Sequence, residues 1–173
     1  MDHLKAKIRH VPDFPKPGIL FYDITTLLRD PAGLGELLDG LSAPFADQRI
    51  DLIVGIESRG FIFGAAMADR LGTGFVPMRK PGKLPGATLR QSYELEYGTD
   101  TLEVHDDAIA PGQRVLVVDD LLATGGTARA AIDLIKQTGG EVAGAAFLVE
   151  LTFLGGRGRL DDTPVFVGLT YDD

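Results

Sequence analysis

Two adjacent carboxylates, Asp119 and Asp120, lie just upstream of a run of small residues, which is Ala123, Thr124, Gly125, Gly126 and Thr127. Small residues bring bare backbone close to a ligand, and the two threonines add hydroxyl groups. At the start of a helix, unpaired amides and the helix dipole bind a phosphate-sized anion. Carboxylates repel a bare phosphate but accept hydrogen bonds well from a diol. The combination therefore predicts a binding site for a sugar phosphate.

The residues around this run predict the elements that hold it. Residues 115–118 are all valine or leucine, which is typical of a strand buried on both faces of a parallel sheet. Apolar residues then recur at helical spacing at Ala128, Ala131, Ile132 and Ile135. Ligands bind at the carboxyl edge of the strands in an open α/β sheet, which is where the run falls. The simpler alternative is a glycine-rich turn with two solvated aspartates.

Ser58 and Arg59 repeat this arrangement, because they follow an apolar strand and precede a helix. A hydroxyl, a guanidinium and helix-start amides then converge, which suits a second phosphoryl group. The alternative is a serine that caps the helix beside a surface arginine.

Arg79, Lys80 and Lys83 place three cations in the short loop 79–86 of an otherwise acidic chain. The prolines and glycines of the loop prevent regular structure, so we expect a mobile segment. Such a loop suits a lid that closes over a polyanion and excludes water. The alternative is a solvated basic loop.

Three more side chains suit the recognition of a heterocycle. Glu96 could act as a general acid or base for a ring nitrogen if it is partly desolvated. The alternative is an ordinary strand-face charge, as we also expect for Glu94 and Glu103. Phe21 and Leu151 could form a flat apolar slot, with core packing as the alternative. The histidines are scattered along the chain and indicate no metal site.

Composition excludes several classes of function. The chain has no cysteine, which excludes disulfides, thiolate metal ligands and cysteine nucleophiles. Its net charge of −8 argues against a general nucleic-acid or anionic-membrane surface. No apolar run is long enough to cross a membrane, and the first residues contain no apolar signal core, so we expect a cytoplasmic protein.

Strands alternate with helices, which predicts a parallel α/β domain with a mainly parallel sheet of roughly five strands. We interpret residues 1–173 as one domain. Two additions are expected over the carboxyl edge of the sheet. One is a small hood from an arm of about residues 11–24, and the other is a lid loop and antiparallel ribbon of about residues 79–105.

Two details of this prediction concern packing. The spacing of Phe61, Ala65 and Ala68 predicts the inner face of the helix after Arg59, and Gly72 is expected to end that helix. Pro77 places its short strand near an edge of the sheet, since proline cannot donate to a central ladder.

The segments in this order resemble the adenine phosphoribosyltransferase family, over nearly the whole chain. Residues 115–127 are similar to the type I phosphoribosyltransferase signature for phosphoribosyl pyrophosphate, which does not select the base. The choice of family depends on the remaining segments, which are residues 14–21, 57–61, 79–86, 95–98 and 150–152.

The resemblance implies roles for the anion-binding residues. Asp119 and Asp120 would hold the ribose hydroxyls, and residues 123–127 the 5′-phosphate. Ser58 and Arg59 would bind pyrophosphate, with Arg79, Lys80 and Lys83 closing over it. Mg²⁺ would bridge the pyrophosphate and the ribose, bound mostly by substrate and water and by no certain protein ligand.

The resemblance also implies a base site and a homodimer. Adenine would stack between Phe21 and Leu151 and be recognised by backbone groups of Leu20 and Tyr22. Glu96, Arg59 and Arg79 would be the catalytic residues, with Glu96 exchanging a proton with the purine imidazole ring. Tyr22 departs from the arginine common in the family, so the role of that side chain is left open.

Two alternatives to adenine phosphoribosyltransferase activity remain at this stage. One is a phosphoribosyltransferase for another purine base. The other is a non-catalytic sensor that binds phosphoribosyl pyrophosphate, although this acidic chain has no room for the nucleic-acid-binding domain that such regulators usually add.

Overall fold

The computed structural model describes residues 1–94 and 98–172. The strands in these residues are β1 (Arg9–Pro12), β2 (Leu20–Asp23), β3 (Leu52–Ile56), β4 (Gly74–Met78), β5 (Thr88–Glu94), β6 (Thr99–His105), β7 (Arg114–Leu122), β8 (Glu141–Leu151) and β9 (Val165–Tyr171). The α-helices are α1 (Thr25–Leu28), α2 (Pro31–Ser42), α3 (Gly60–Leu71) and α4 (Gly126–Gln137). Short 3₁₀ helices span Asp2–Lys7, Ala43–Phe45, Thr152–Leu154 and Gly156–Arg159.

The central sheet has five parallel strands in the order β4-β3-β7-β8-β9, which confirms the predicted architecture. Strand β7 lies at its centre, and residues 115–118 are fully buried because helices cover both faces. Strand β4 lies at the edge, where Pro77 is tolerated. The central position of β7 places Asp119 and Asp120 in the middle of the carboxyl edge.

Two apolar layers enclose the sheet. Helix α4 and the ribbon cover one face, and α4 buries the predicted residues Ala128, Ala131, Ile132 and Ile135. Helices α2 and α3 and the N-terminal 3₁₀ helix cover the other face. Removal of this apolar surface from water is the main force that holds the layers together.

The predicted inner face of α3 is wrong in part. Ala68 is buried, but Ala65 is exposed and Phe61 is only partly covered, whereas Phe63 and Met67 are fully buried. A Cβ atom at Gly64 would lie 3.2 Å from the Cα of Gly55 in β3, so the helix packs most closely where it has no side chain. Because of this close approach, α3 is rotated so that Phe63 and Met67, rather than Phe61 and Ala65, are buried. The helix ends at Gly72, as predicted, with φ of +65°.

Two small antiparallel ribbons complete the fold. Strands β5 and β6 form the predicted ribbon after the loop 79–86. Residues 95–97, which come between these strands in the sequence, lie outside the described residues. Strands β1 and β2 form the second ribbon within the N-terminal arm. No helix among the residues described is long and apolar enough to cross a membrane.

Candidate functional site

A cavity of about 400 Å³ lies at the carboxyl edge of the sheet. It brings together three stretches that the sequence analysis singled out separately: Ser58 and Arg59 after β3, Lys80 after β4, and residues 119–128 of β7 and α4. Parallel strands end at the same edge, so side chains distant in sequence meet there.

The carboxylate pair forms the floor of this cavity. The Asp119 carboxylate accepts a hydrogen bond of 2.9 Å from the Asp120 amide. The Asp120 carboxylate is buried and pairs with the Arg59 guanidinium, with Nε 2.6 Å from Oδ2. Burial, together with the neighbouring Asp120 carboxylate, raises the pKa of Asp119 well above its usual range. The pair therefore consists of one carboxylate neutralised by a cation and one that ionises at a free-energy cost.

The small-residue turn after β7 presents backbone to the cavity. Gly125 has φ of +82°, a conformation that favours glycine, and α4 begins at the next residue. The cavity is lined by Ala123, Thr124, Gly125, Gly126 and Thr127, which places helix-start amides and two hydroxyls around one space. This arrangement provides an anion site of phosphate size.

The 3₁₀ helix Gly156–Arg159 supports this turn from behind, a contact that the sequence analysis missed. A Cβ atom on Gly156 would lie 2.1 Å from the carbonyl oxygen of Ala123, and one on Gly125 would lie 2.3 Å from the carbonyl oxygen of Gly156. Arg157 anchors the helix through hydrogen bonds of 3.1 and 2.5 Å to the buried Glu150 carboxylate. The run of glycines and arginines at 155–159 was the available sequence signal.

Two cations of the loop 79–86 are paired with carboxylates. The Arg79 guanidinium donates to both carboxylate oxygens of Glu57, at 3.2 and 3.1 Å, and these bonds hold the pKa of Glu57 below its usual range. Lys80 pairs with Asp100 and donates to the Tyr93 hydroxyl at 2.9 Å. Lys80 lines the cavity, whereas Arg79 and Lys83 do not.

Glu103 is not the ordinary strand-face charge that the sequence analysis expected. It is only 1% exposed, and its carboxylate contacts the Arg90 guanidinium at 2.7 Å and accepts from the Gly82 amide at 3.1 Å. Its backbone exchanges two hydrogen bonds with Arg79, of 2.9 and 2.7 Å. Glu103 therefore fastens the basic loop to β6 from within the structure.

An apolar slot of about 120 Å³ opens beside the cavity. Its lining includes Leu20, Phe21 and Tyr22 from the arm and Leu151 from the end of β8. Arg59 and Asp120 line both spaces, so the slot and the cavity adjoin. The Arg59 guanidinium carbon also lies 5.7 Å from the centre of the Phe21 ring, which joins the two spaces through one side chain.

The predicted general acid or base, Glu96, lies outside the described residues, so its position relative to the slot stays a prediction. Every other candidate is described, and all except Arg79 and Lys83 line the cavity or the slot. Within the described part of the chain, no group of three or more histidine, aspartate or glutamate side chains could hold a metal ion.

Comparisons with known proteins identify relatives of this fold and site. The phosphoribosyl transferase domain family matches residues 24–170. The chain is 62% identical to adenine phosphoribosyltransferase of Koribacter versatilis, over 99% of this chain and 94% of the relative. It resembles the crystal structure of adenine phosphoribosyltransferase from Thermoanaerobacter pseudethanolicus with a TM-score of 0.95 and 51% identity, over 98% of each chain. The Saccharomyces cerevisiae enzyme, complexed with an imino-altritol bisphosphate and adenine, matches with a TM-score of 0.91 and 45% identity, over 96% of this chain and 97% of that one.

Proposed function

The chain belongs to the adenine phosphoribosyltransferase family, and we propose that it transfers ribose 5-phosphate from phosphoribosyl pyrophosphate to N9 of adenine, giving AMP and pyrophosphate. One observation carries this proposal: an anion cavity with a carboxylate pair adjoins an apolar slot across Arg59 and Asp120. A sugar phosphate in the cavity would present its anomeric carbon to a flat base in the slot.

The cavity floor suits the ribose phosphate. Asp119 and Asp120 accept hydrogen bonds from the two ribose hydroxyls, and the turn 123–127 binds the 5′-phosphate through its amides and hydroxyls. Together these contacts hold the sugar at both ends. Fixing the anomeric carbon relative to the attacking nitrogen supplies a large part of the rate enhancement in a displacement of this kind.

The cations around the cavity suit the pyrophosphate group. Ser58 and Arg59 contact it first, and Arg79, Lys80 and Lys83 close over it. Arg59, Arg79 and Lys80 are paired with carboxylates, so pyrophosphate must compete with those carboxylates. Once these cations contact the pyrophosphate, they stabilise the charge that develops on it as it leaves.

The slot suits adenine. The base stacks between Phe21 and Leu151, and backbone groups of Leu20 and Tyr22 recognise its edge. Glu96 accepts the proton that the imidazole ring loses as N9 bonds to the sugar. No covalent intermediate with the protein is needed, because one displacement accounts for both products.

Mg²⁺ is the cofactor that we propose. Asp119 and Asp120 offer the hard oxygen atoms that this ion prefers, but Asp120 is already paired with Arg59. This donor set is too small for an all-protein site and fits an ion bound mainly by substrate oxygens and water. When bound, the ion neutralises charge on the pyrophosphate.

The proposal is tested by incubating the protein with phosphoribosyl pyrophosphate, Mg²⁺ and one base at a time. We expect AMP and pyrophosphate to form from adenine, with much slower turnover of hypoxanthine, guanine or xanthine. Faster turnover of another purine would contradict the assignment of the base. Donor binding without turnover of any base would favour the sensor.

Glu96→Gln is expected to lower kcat by roughly 10²–10⁴-fold, the usual contribution of a general acid or base. The Kd for phosphoribosyl pyrophosphate should stay within about twofold of wild type, because the donor occupies the separate cavity. Glu94→Gln is the matched control, since Glu94 is an exposed glutamate at the end of β5, two positions earlier in the sequence. Equal loss in both variants, or donor affinity that falls with kcat, would contradict the assigned role.

We also propose that the enzyme is a cytoplasmic homodimer in purine salvage. The acidic chain, the small-molecule substrates and family membership support this assignment, with no nucleic-acid or membrane partner. Sedimentation equilibrium of the purified protein would test the dimer.

A further inference from the structure

Three aromatic rings join the N-terminal arm to the last strand of the sheet. The Tyr22 and Tyr171 rings stack with their centres 3.9 Å apart and their planes 31° from parallel. The His10 ring lies edge-on to both, at 5.2 Å from Tyr22 and 5.9 Å from Tyr171. His10 and Tyr22 are directly opposed in the β1-β2 ribbon, so both rings project from one face of the arm.

The stacked tyrosines are the immediate neighbours of the two residues that enclose the base slot. Phe21 precedes Tyr22 in β2, and side chains of consecutive strand residues point to opposite faces. Leu151 is the register partner of Tyr171 in the parallel pair of β8 and β9. Tyr22 therefore adjoins one side of the slot, because it follows Phe21 in β2. Tyr171 adjoins the other side, because it pairs with Leu151 in the sheet.

The ring of Tyr171, rather than its hydroxyl, makes these contacts. The residue is 8% exposed, and its hydroxyl has no hydrogen-bond partner within the described part of the structure. Burial raises the pKa of Tyr171 to about 12, so the side chain stays neutral in the physiological range. The Lys5 ammonium group lies 5.2 Å from the centre of the same ring and covers it further.

We propose that the Tyr22–Tyr171 stack is a positioning device that sets the width of the base slot by fixing β2 against the ends of β8 and β9. The inference rests on the proposed function. The stack lies outside the anion cavity, so its loss should affect binding of the base and leave binding of the sugar donor unchanged. The Tyr22 and Tyr171 side chains are therefore positioning groups, and Tyr171, which does not line the slot, acts on the base only through Leu151 and the Tyr22 ring.

The test is a set of variants measured by steady-state kinetics with each substrate varied. Tyr22→Ala and Tyr171→Ala should each raise KM for adenine by roughly fivefold to tenfold, as expected for loss of an aromatic pair. KM for phosphoribosyl pyrophosphate should change by less than about twofold, because the cavity keeps its contacts. Tyr171→Phe keeps the ring of a residue that does not line the slot and should retain the wild-type KM for adenine. The double alanine variant should be no worse than the worse single variant, because each removes the same stack.

Phe166→Ala is the matched control. Phe166 pairs edge-on with Phe45, with ring centres 6.5 Å apart, in the half of β9 away from the slot. It should lower the melting temperature without raising KM for adenine. Tyr22→Leu, which keeps apolar volume without a ring, replaces the alanine variant if that variant does not fold.

The outcomes separate this inference from the proposed function. A wild-type protein that makes no AMP from adenine contradicts the function itself. An active wild type whose Tyr171→Ala variant keeps the wild-type KM for adenine overturns only the positioning role. A parallel rise of both KM values, or the same rise in Phe166→Ala, also overturns it, because a general loss of structure would then explain the effect.

Discussion

Asp119→Asn is expected to lower kcat/KM by about 10²–10³-fold, the loss typical of one preorganised polar group in an active site, while the unliganded protein becomes more stable. Activity falls because the ribose hydroxyl loses a charged acceptor. Stability rises because burial and the Asp120 carboxylate disfavour the ionised Asp119 side chain. The asparagine retains an oxygen for the Asp120 amide, so the local hydrogen bond is kept.

The pH dependence of this stability change has a definite sign. The pKa of Asp119 is higher in the folded protein than in the unfolded chain, so the folded state holds the proton more tightly. The free-energy cost of ionising Asp119 in the folded protein is complete at a pH above its folded pKa. This cost disappears at a pH below its unfolded pKa of about 3.9. The melting temperature of Asp119→Asn should therefore exceed that of wild type at neutral pH by about 2–4 °C for each kcal/mol of relief. The difference should vanish as the pH falls below about 4.

Asp120→Asn is the contrasting variant. Asp120 pairs with Arg59 at 2.6 Å, so its replacement weakens a favourable ion pair and should lower the melting temperature at neutral pH. Activity should fall as in Asp119→Asn. Differential scanning calorimetry across pH, together with initial rates, tests both variants. Equal changes in melting temperature would contradict the distinct electrostatic roles, and an unfolded Asp119→Asn protein would contradict the functional interpretation of the pair.

Gly156→Ala is expected to raise KM for phosphoribosyl pyrophosphate by about 100-fold or more, since a displacement of about 1 Å at a binding group costs that much. The new methyl carbon would lie 2.1 Å from the Ala123 carbonyl oxygen and 2.9 Å from the Gly125 nitrogen. Both contacts are with backbone, which cannot rotate away, so the phosphate-binding turn must move. Overpacking of this kind also costs about 1–3 kcal/mol of stability.

Gly158→Ala is the matched control for this prediction. Gly158 belongs to the same 3₁₀ helix, and an added Cβ atom there would meet no heavy atom within 4 Å. Its KM for phosphoribosyl pyrophosphate should stay within about twofold of wild type, because no contact forces the turn to move. If the two variants have the same KM for the donor, the packing of Gly156 does not position the turn.

Elements defined by residues close in sequence were predictable, whereas contacts between distant residues were not. The apolar strand 115–118, the small-residue turn and the alanine face of α4 each follow from residues close in sequence, and the structure confirms these elements. The spacing of apolar residues and the size of the side chains are sufficient to predict these elements, because a strand or a helix start is defined by its own backbone. The mainly parallel sheet of roughly five strands also followed from the alternation of elements, and Pro77 correctly indicated an edge.

The face that α3 buries was not predictable from apolar spacing. The helix approaches β3 at Gly64 and Gly55, so the absence of side chains decides how it is rotated. Glu103 was misjudged for a related reason. Its neighbours Leu102 and Val104 are also fully buried, so β6 is covered on both faces and does not follow the alternation of a half-exposed strand.

The sequence by itself determined the chemistry that the chain offers: a carboxylate pair, a phosphate-sized turn, a basic loop and an aromatic arm. Only the tertiary structure decided how these parts act on one another. It pairs Arg59 with Asp120, Arg79 with Glu57 and Tyr22 with Tyr171, and it supports the turn with Gly156. These partners lie far apart along the chain, and no local propensity encodes them. They meet because the parallel strands bring their carboxyl ends to one edge, against which the N-terminal ribbon and the 3₁₀ helix Gly156–Arg159 pack.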